Sequence, residues 1–175
     1  MKVFAAIVLA LGAVAIVAFG LPGQSQEREF LRFHIRAHTN NEQDQAVKYK
    51  VKQRVINEFT PLFAEITSID DAMSTMQNNL RHIENISNQI LAENGKTYIA
   101  SASLRWEHFP TRNYRDVTLP EGFYNALIIN LGDADGDNWW CVIYPPLCFL
   151  RNDIGGDRGV VYRSRLNEII NRFFR

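Results

Sequence analysis

"ALIINLGDADGDNWWCVIY", Ala126 to Tyr144, is the stretch whose reading decides how this chain folds. Ala126 to Leu131 is an apolar run broken only by Asn130, the pattern of a central strand. Gly132 to Asn138 is rich in glycine and aspartate and reads as a hairpin turn. Trp139 to Tyr144 reads as the partner strand. Its alternation sends Trp139, Cys141 and Ile143 to one face, and Trp140, Val142 and Tyr144 to the other. Large apolar residues on both faces require a central or covered strand.

Upstream, Glu29 to His38 also alternates. Leu31, Phe33, Ile35 and Ala37 face one way; Arg32, His34, Arg36 and His38 face the other. This predicts a strand with one buried face. Thr39-Asn40-Asn41-Glu42 matches a capping box, and Val47, Val51, Val55 and Phe59 follow at helical spacing. Thr60-Pro61 predicts a break, because a residue before proline avoids the α region. A short turn of helix over Leu62 to Ile66 follows. Ser68-Ile69-Asp70-Asp71 opens a longer helix with Met73, Met76, Leu80, Ile83, Ile86 and Ile90 along one stripe. Asn94-Gly95 closes it. Tyr98 to His108 alternates as a strand, and Arg163 to Phe174 reads as a closing amphipathic helix. The order β-α-α-β-β-β-α predicts an α+β fold: a mostly antiparallel sheet of about four strands with helices packed on it.

The N-terminus places Lys2 before an apolar run from Val3 to Phe19, then Ala18-Phe19-Gly20 and a polar stretch. Residues 1–23 therefore read as a signal peptide or an N-terminal membrane anchor. Residues 24–175 read as a single extracytoplasmic domain of ordinary size. With 19 basic and 19 acidic residues in the chain, nothing in the charge favours nucleic acid as a partner.

Cys141 and Cys148 are the only cysteines. In an oxidising compartment such a pair reads most simply as a disulfide. Two buried thiols are the bland alternative. His34 and His38 resemble a zinc-binding pair, but four residues of strand span about 13 Å, too far for one metal. Asp133, Asp135 and Asp137 hint at a calcium loop without its glycine and glutamate positions. They form an acidic turn, and no nucleophile motif accompanies them. No catalytic residue, metal or cofactor is predicted. Pro145-Pro146-Leu147 must leave the sheet, since two prolines offer no ladder donors. Trp139, Trp140, Tyr144, Pro145, Pro146, Leu147 and Phe149 are the candidate partner-binding residues, as aromatic anchors beside a stiff apolar tip. The arginine-rich C-terminal helix could instead touch a membrane surface.

Three blocks carry a family resemblance. The first is Arg32 to Ala37 with Asp44, Gln45, Lys48 and Val51. The second is Phe109-Pro110 to Tyr114 with Leu119-Pro120-Glu121-Gly122 and Tyr124. The third is Gly132, Gly136 and Asn138 to Val142, running into Pro145 to Phe149. With these the chain resembles the stage II sporulation protein R family. Asp135 and Glu121 depart from the expected pattern. The resemblance implies an exported signalling protein, not an enzyme. It implies secretion into the space between forespore and mother cell and activation of a membrane-embedded aspartic protease. That protease processes the precursor of the early mother-cell sigma factor. No small-molecule substrate or residue-level catalytic map comes with it. The competing reading is an extracytoplasmic cell-wall hydrolase with an acidic centre at Asp133 to Asp137.

Overall fold

Strand β1 (Leu31–Arg36) lies inside the sheet, not at its margin. The computed structural model describes residues 30–114, 117–148 and 170–171. After β1 come α1 (Glu42–Phe63), α2 (Ile69–Glu93), β2 (Ala100–Phe109), β3 (Arg112–Tyr114), β4 (Val117–Leu119), β5 (Gly122–Leu131) and β6 (Asn138–Tyr144). The long strands hydrogen-bond in the order β2-β5-β1-β6, and β3 pairs with β4 separately. β2 is antiparallel to β5, β5 is parallel to β1, and β1 is antiparallel to β6. The fold is α+β with a mixed four-stranded sheet. Of the closing helix expected over Arg163 to Phe174, only Ile170 and Asn171 lie within the described residues, and both are helical. The N-terminal segment 1–23 lies outside them.

The expected hairpin between β5 and β6 does not form; β1 lies between the two strands. The Gly132–Asp137 connection crosses the end of β1 instead. Its amides donate to the chain just beyond that strand: Asp135 to the His38 carbonyl at 3.1 Å, Gly136 to the Ala37 carbonyl at 2.9 Å. Asp137 donates to Asn40 Oδ1 at 2.6 Å. At Gly136 any Cβ would collide with the Thr39 carbonyl. Gly132 has a φ of 57°, a left-handed conformation that glycine adopts freely. The composition of a crossover is that of a hairpin turn, so local pattern could not separate the two.

α1 and α2 cover one face of the sheet. Leu31, Phe33 and Ile35 of β1 and Leu127, Ile129 and Leu131 of β5 pack there against Val51, Val55 and Phe59 of α1 and Met76 and Ile83 of α2. The helix ends follow from local chemistry. α1 begins two residues later than a Thr39 cap would place it. Asn41 is the N-cap and its side chain accepts from the Asp44 amide at 2.8 Å. α1 also runs through Pro61 rather than breaking at Thr60. The Thr60 hydroxyl donates to the Ile56 carbonyl at 2.6 Å, and burial of Thr60 and Phe63 holds the last turn in place. α2 starts at Ser68, whose hydroxyl accepts from the Asp71 amide. It ends in a Schellman motif, with the Lys96 amide on the Leu91 carbonyl and the Gly95 amide on the Ala92 carbonyl. Among the described residues no helix is long and apolar enough to cross a membrane.

Candidate functional site

The face of the sheet away from the helices carries the unexpected chemistry. Arg32 and His34 alternate onto that face, where the sequence predicts solvent, yet both are 0% exposed. A central strand is covered on both sides, and the cover here is aromatic. The Arg32 guanidinium lies 4.3 Å from the Phe109 ring centroid, 4.7 Å from Tyr124 and 5.5 Å from Tyr114. Its Nη2 donates to the Tyr114 hydroxyl at 3.0 Å. Burial pulls the Arg32 pKa down, while Tyr114 and Tyr124 work against that shift. The His34 ring centroid sits 4.7 Å from Trp140 and 5.3 Å from Phe109. Burial, with smaller repulsion from Arg36, Arg105 and Arg32, lowers its pKa to about 3, so the ring is neutral.

This face is rich in cations and poor in carboxylates. Arg36 and Arg105 share Glu107, at 2.7 and 2.9 Å. Arg112 stacks on Trp140, 5.1 Å from the ring centroid. Arg32 Nε and Nη1, both His34 nitrogens and Arg112 Nε are buried without a hydrogen-bond partner among the described residues. Buried polar atoms are ordinarily satisfied, and around Arg32 and Arg112 aromatic faces take the place of some of those partners.

Next to this face a groove of about 770 Å³ runs along the outer edge of β6. Tyr49 and Lys52 of α1 form one wall, Arg112 and Tyr114 of β3 the other. Trp139, Trp140 and Cys141 form the floor, with Leu147 and Cys148 beside them. Among the described strands β6 pairs with β1 alone, on the side away from the groove. Trp139 and Trp140 straddle the edge facing the groove. Trp139 meets Phe33 edge-on at 5.5 Å on the helix side, and Lys52 Nζ is 5.4 Å from its ring centroid. Trp140 lies on the opposite side, 4.9 Å from Phe109.

The candidate partner-binding residues therefore divide. Trp139, Trp140 and Leu147 border the groove. Tyr144, Pro145 and Pro146 are buried, and Leu147 is half-buried. The expected projecting tip instead folds back on the domain, with a cis Tyr144–Pro145 bond and the Leu147 amide donating to the Pro145 carbonyl at 2.7 Å. Prolines end a strand, but they do not oblige the chain to enter solvent. Phe149 lies outside the described residues. Cys141 and Cys148 are joined in a disulfide with Cα atoms 5.8 Å apart, closing the turn against the end of β6.

A second polar cluster holds the ends of β1, α1 and β2 together. Asp44 is 3% exposed. It accepts from Lys96 Nζ, the Tyr98 hydroxyl and the Thr39 hydroxyl, each at 2.7 Å. Burial alone would raise its pKa, but these donors overcome burial and hold the carboxyl well below its usual range. Lys48, 1% exposed, donates to the Asp137 carbonyl at 2.7 Å and to Gln45 at 2.6 Å. The acidic turn thus engages the domain mainly through its backbone, while the Asp133, Asp135 and Asp137 residues are exposed. His34 and His38 do not act as a pair. His38 lies beyond β1, stacks on Tyr98 at 4.3 Å and accepts from the Asp133 amide at 3.0 Å.

The sequence did not mark Arg32, Arg112, Tyr114 or Asp44 as site residues, and it raised His34 only as half of a metal pair that strand geometry excludes. The available signal was the Arg-x-His-x-Arg alternation together with Phe109, Tyr114 and Tyr124, aromatics that the resemblance names but gives no role.

Comparison with known proteins gives the family of the chain. The family model for stage II sporulation protein R matches residues 27–153. Stage II sporulation protein R of Bacillus subtilis (strain 168) is 37% identical over 120 residues, covering 69% of this chain and 54% of that protein. The chain spans about half the length of that curated relative. No solved structure matches the chain. With its mixed sheet, Trp139-Trp140-Cys141 edge and closing cysteine all inside the matched region, the chain belongs to the stage II sporulation protein R family.

Proposed function

We propose that this chain is an exported signal of sporulation. It crosses the membrane by means of residues 1–23, folds in the space between forespore and mother cell, and activates a membrane-embedded aspartic protease. The protease then processes the precursor of the early mother-cell sigma factor. Family membership supports the setting. The Cys141–Cys148 disulfide supports an oxidising compartment.

The observation that carries the reading is the groove along the outer edge of β6. Trp139 and Trp140 lie on its floor, Leu147 lies beside it, and the disulfide fixes one end. Rigid aromatic residues around a strand edge that is unpaired among the described residues suit recognition of a protein segment. Fixing the turn beforehand lowers the entropy lost on docking. The role is signalling rather than catalysis, and it requires neither cofactor nor small-molecule substrate.

The test is a Trp140→Ala chain expressed at normal level in sporulating cells. Processing of the sigma-factor precursor should fall at least about tenfold while the exported protein remains detectable by immunoblot. Normal processing would refute the groove as the signalling surface. Asp133→Asn, Asp135→Asn and Asp137→Asn combined should leave processing intact; selective loss of function there, with the fold retained, would favour the cell-wall hydrolase.

A further inference from the structure

Strand β2 is the margin of the sheet opposite β6, with β5 as its one neighbour among the described strands. On the β5 side the Ile99 carbonyl accepts from the Gly132 amide at 2.9 Å. From Ala100 onward, the backbone of every second residue therefore points outward. α2 covers the first part of that margin. The Ala100 amide donates to Asn88 Oδ1 at 2.7 Å, and the Ala102 amide to Glu84 Oε1 at 2.9 Å. The cover stops there. Among the described residues no side chain or strand takes the outward amides of Leu104, Trp106 and His108. The same stretch exposes apolar surface. Trp106 points to the helix-covered face, as Leu104 does, yet it is 48% exposed. Phe123, paired with His108 and meeting its ring edge-on at 5.2 Å, is 50% exposed. An uncovered strand edge of this kind is a template for another strand.

The charges on β2 indicate which strand. Arg105 and Glu107 alternate onto the other face, where Arg105 Nε lies 2.9 Å from Glu107 Oε2. We infer that two copies of this chain associate by antiparallel pairing of β2 with β2, about a twofold axis at Trp106, joining two four-stranded sheets into one. Hydrogen bonds form only where outward-pointing residues lie opposite each other. To pair more than one residue of the open stretch, the axis must pass through Arg105, Trp106 or Glu107. An axis at Arg105 or Glu107 sets like charges directly opposite, which destabilises a strand pair. An axis at Trp106 sets each Arg105 opposite Glu107 of the second copy, so that four charges alternate around it. It also sets the two Trp106 side chains opposite each other, and Leu104 opposite His108 of the second copy. Such a self-complementary contact closes at two chains. It leaves the β6 groove, at the far margin of each sheet, outside the contact.

The test follows the full-length chain by sedimentation equilibrium in a density-matched non-ionic detergent. Wild type should be a dimer at micromolar concentration. Trp106→Lys should weaken dimerisation at least about tenfold. Arg105→Glu, at a half-exposed side chain, should weaken it severalfold. Both variants should keep the circular dichroism spectrum of wild type. Register is read by disulfide trapping, since the native cysteines are already joined to each other. Residues opposite each other in a hydrogen-bonded pair have Cα atoms about 5.5 Å apart, within reach of a disulfide. Chains carrying Leu104→Cys and His108→Cys, with tags of different size, should crosslink to each other under mild oxidation, and neither with itself. A monomer at every concentration, a dimer whose affinity either charge or tryptophan variant leaves unchanged, or a cysteine variant that crosslinks with itself as readily as with the other overturns the inference.

Discussion

Arg32 Nη2 donates to the Tyr114 hydroxyl at 3.0 Å across 82 residues of sequence, tying the middle of the sheet to the β3–β4 hairpin. Among the described residues it is the one hydrogen bond of this guanidinium, which aromatic rings otherwise enclose. Tyr114→Phe leaves the ring stack in place and removes the acceptor. It should destabilise the domain by about 1–2 kcal/mol, the cost of a newly unsatisfied buried donor. Denaturant unfolding measures this as a lower midpoint with an unchanged slope.

His34 gives the fold a pH dependence on the acid side. Burial holds its pKa near 3 in the folded chain, against 6.5 ordinarily. Between those values the unfolded chain binds the additional proton, so stability falls as pH is lowered through that window. His34→Phe should flatten the dependence of unfolding free energy on pH between about 6.5 and about 3. A slope equal to wild type would mean the ring is protonated in the folded state.

Asp44 acts in a lower window. Its folded pKa lies below the ordinary value of 3.8, so its contribution is complete above that value and is lost as pH falls through the folded one. Asp44→Asn leaves Lys96 without its carboxylate and should cost about 3 kcal/mol at neutral pH. Thermal melts across pH separate this loss from that of His34, which begins at higher pH.

The crossover makes its own prediction. Gly136→Ala places a methyl group against the Thr39 carbonyl. It should destabilise by about 2 kcal/mol, in the range of other overpacked sites. The same change in a simple exposed hairpin turn would be nearly silent, so the unfolding midpoint distinguishes the two topologies.

Replacing Cys141 and Cys148 together by serine should lower stability by about 2.5 kcal/mol on the chain-entropy model for so short a loop. Non-reducing gels and denaturant melts of wild type, with and without reductant, should give the same difference.

The fold class was legible because it rests on period. The alternations at Leu31 to Arg36 and Ala100 to Phe109, and the stripe from Met76 to Ile90, each declare an element locally. Strand order was not legible. Whether Gly132–Asp137 turns back or crosses over depends on bonds to Ala37, His38 and Asn40, roughly 95 residues away in sequence. Burial of Arg32 and His34 was hidden for a related reason. A polar residue at an alternate position reads as solvent-facing unless the aromatics that cover it, here Phe109, Tyr114, Tyr124 and Trp140, are known to converge. Pro145-Pro146 showed that the strand ends, but not that the chain then folds inward.

Photo-crosslinking tests the central claim most directly. p-Benzoylphenylalanine is placed at Trp140, beside the β6 groove. In a second strain it is placed at Trp106, which is 48% exposed on β2 at the opposite edge of the sheet. Irradiation of sporulating cells should give a covalent adduct with the membrane-embedded protease from position 140 and none from position 106. An adduct from 106 alone, or none from 140 in cells that still process the precursor, would contradict the account.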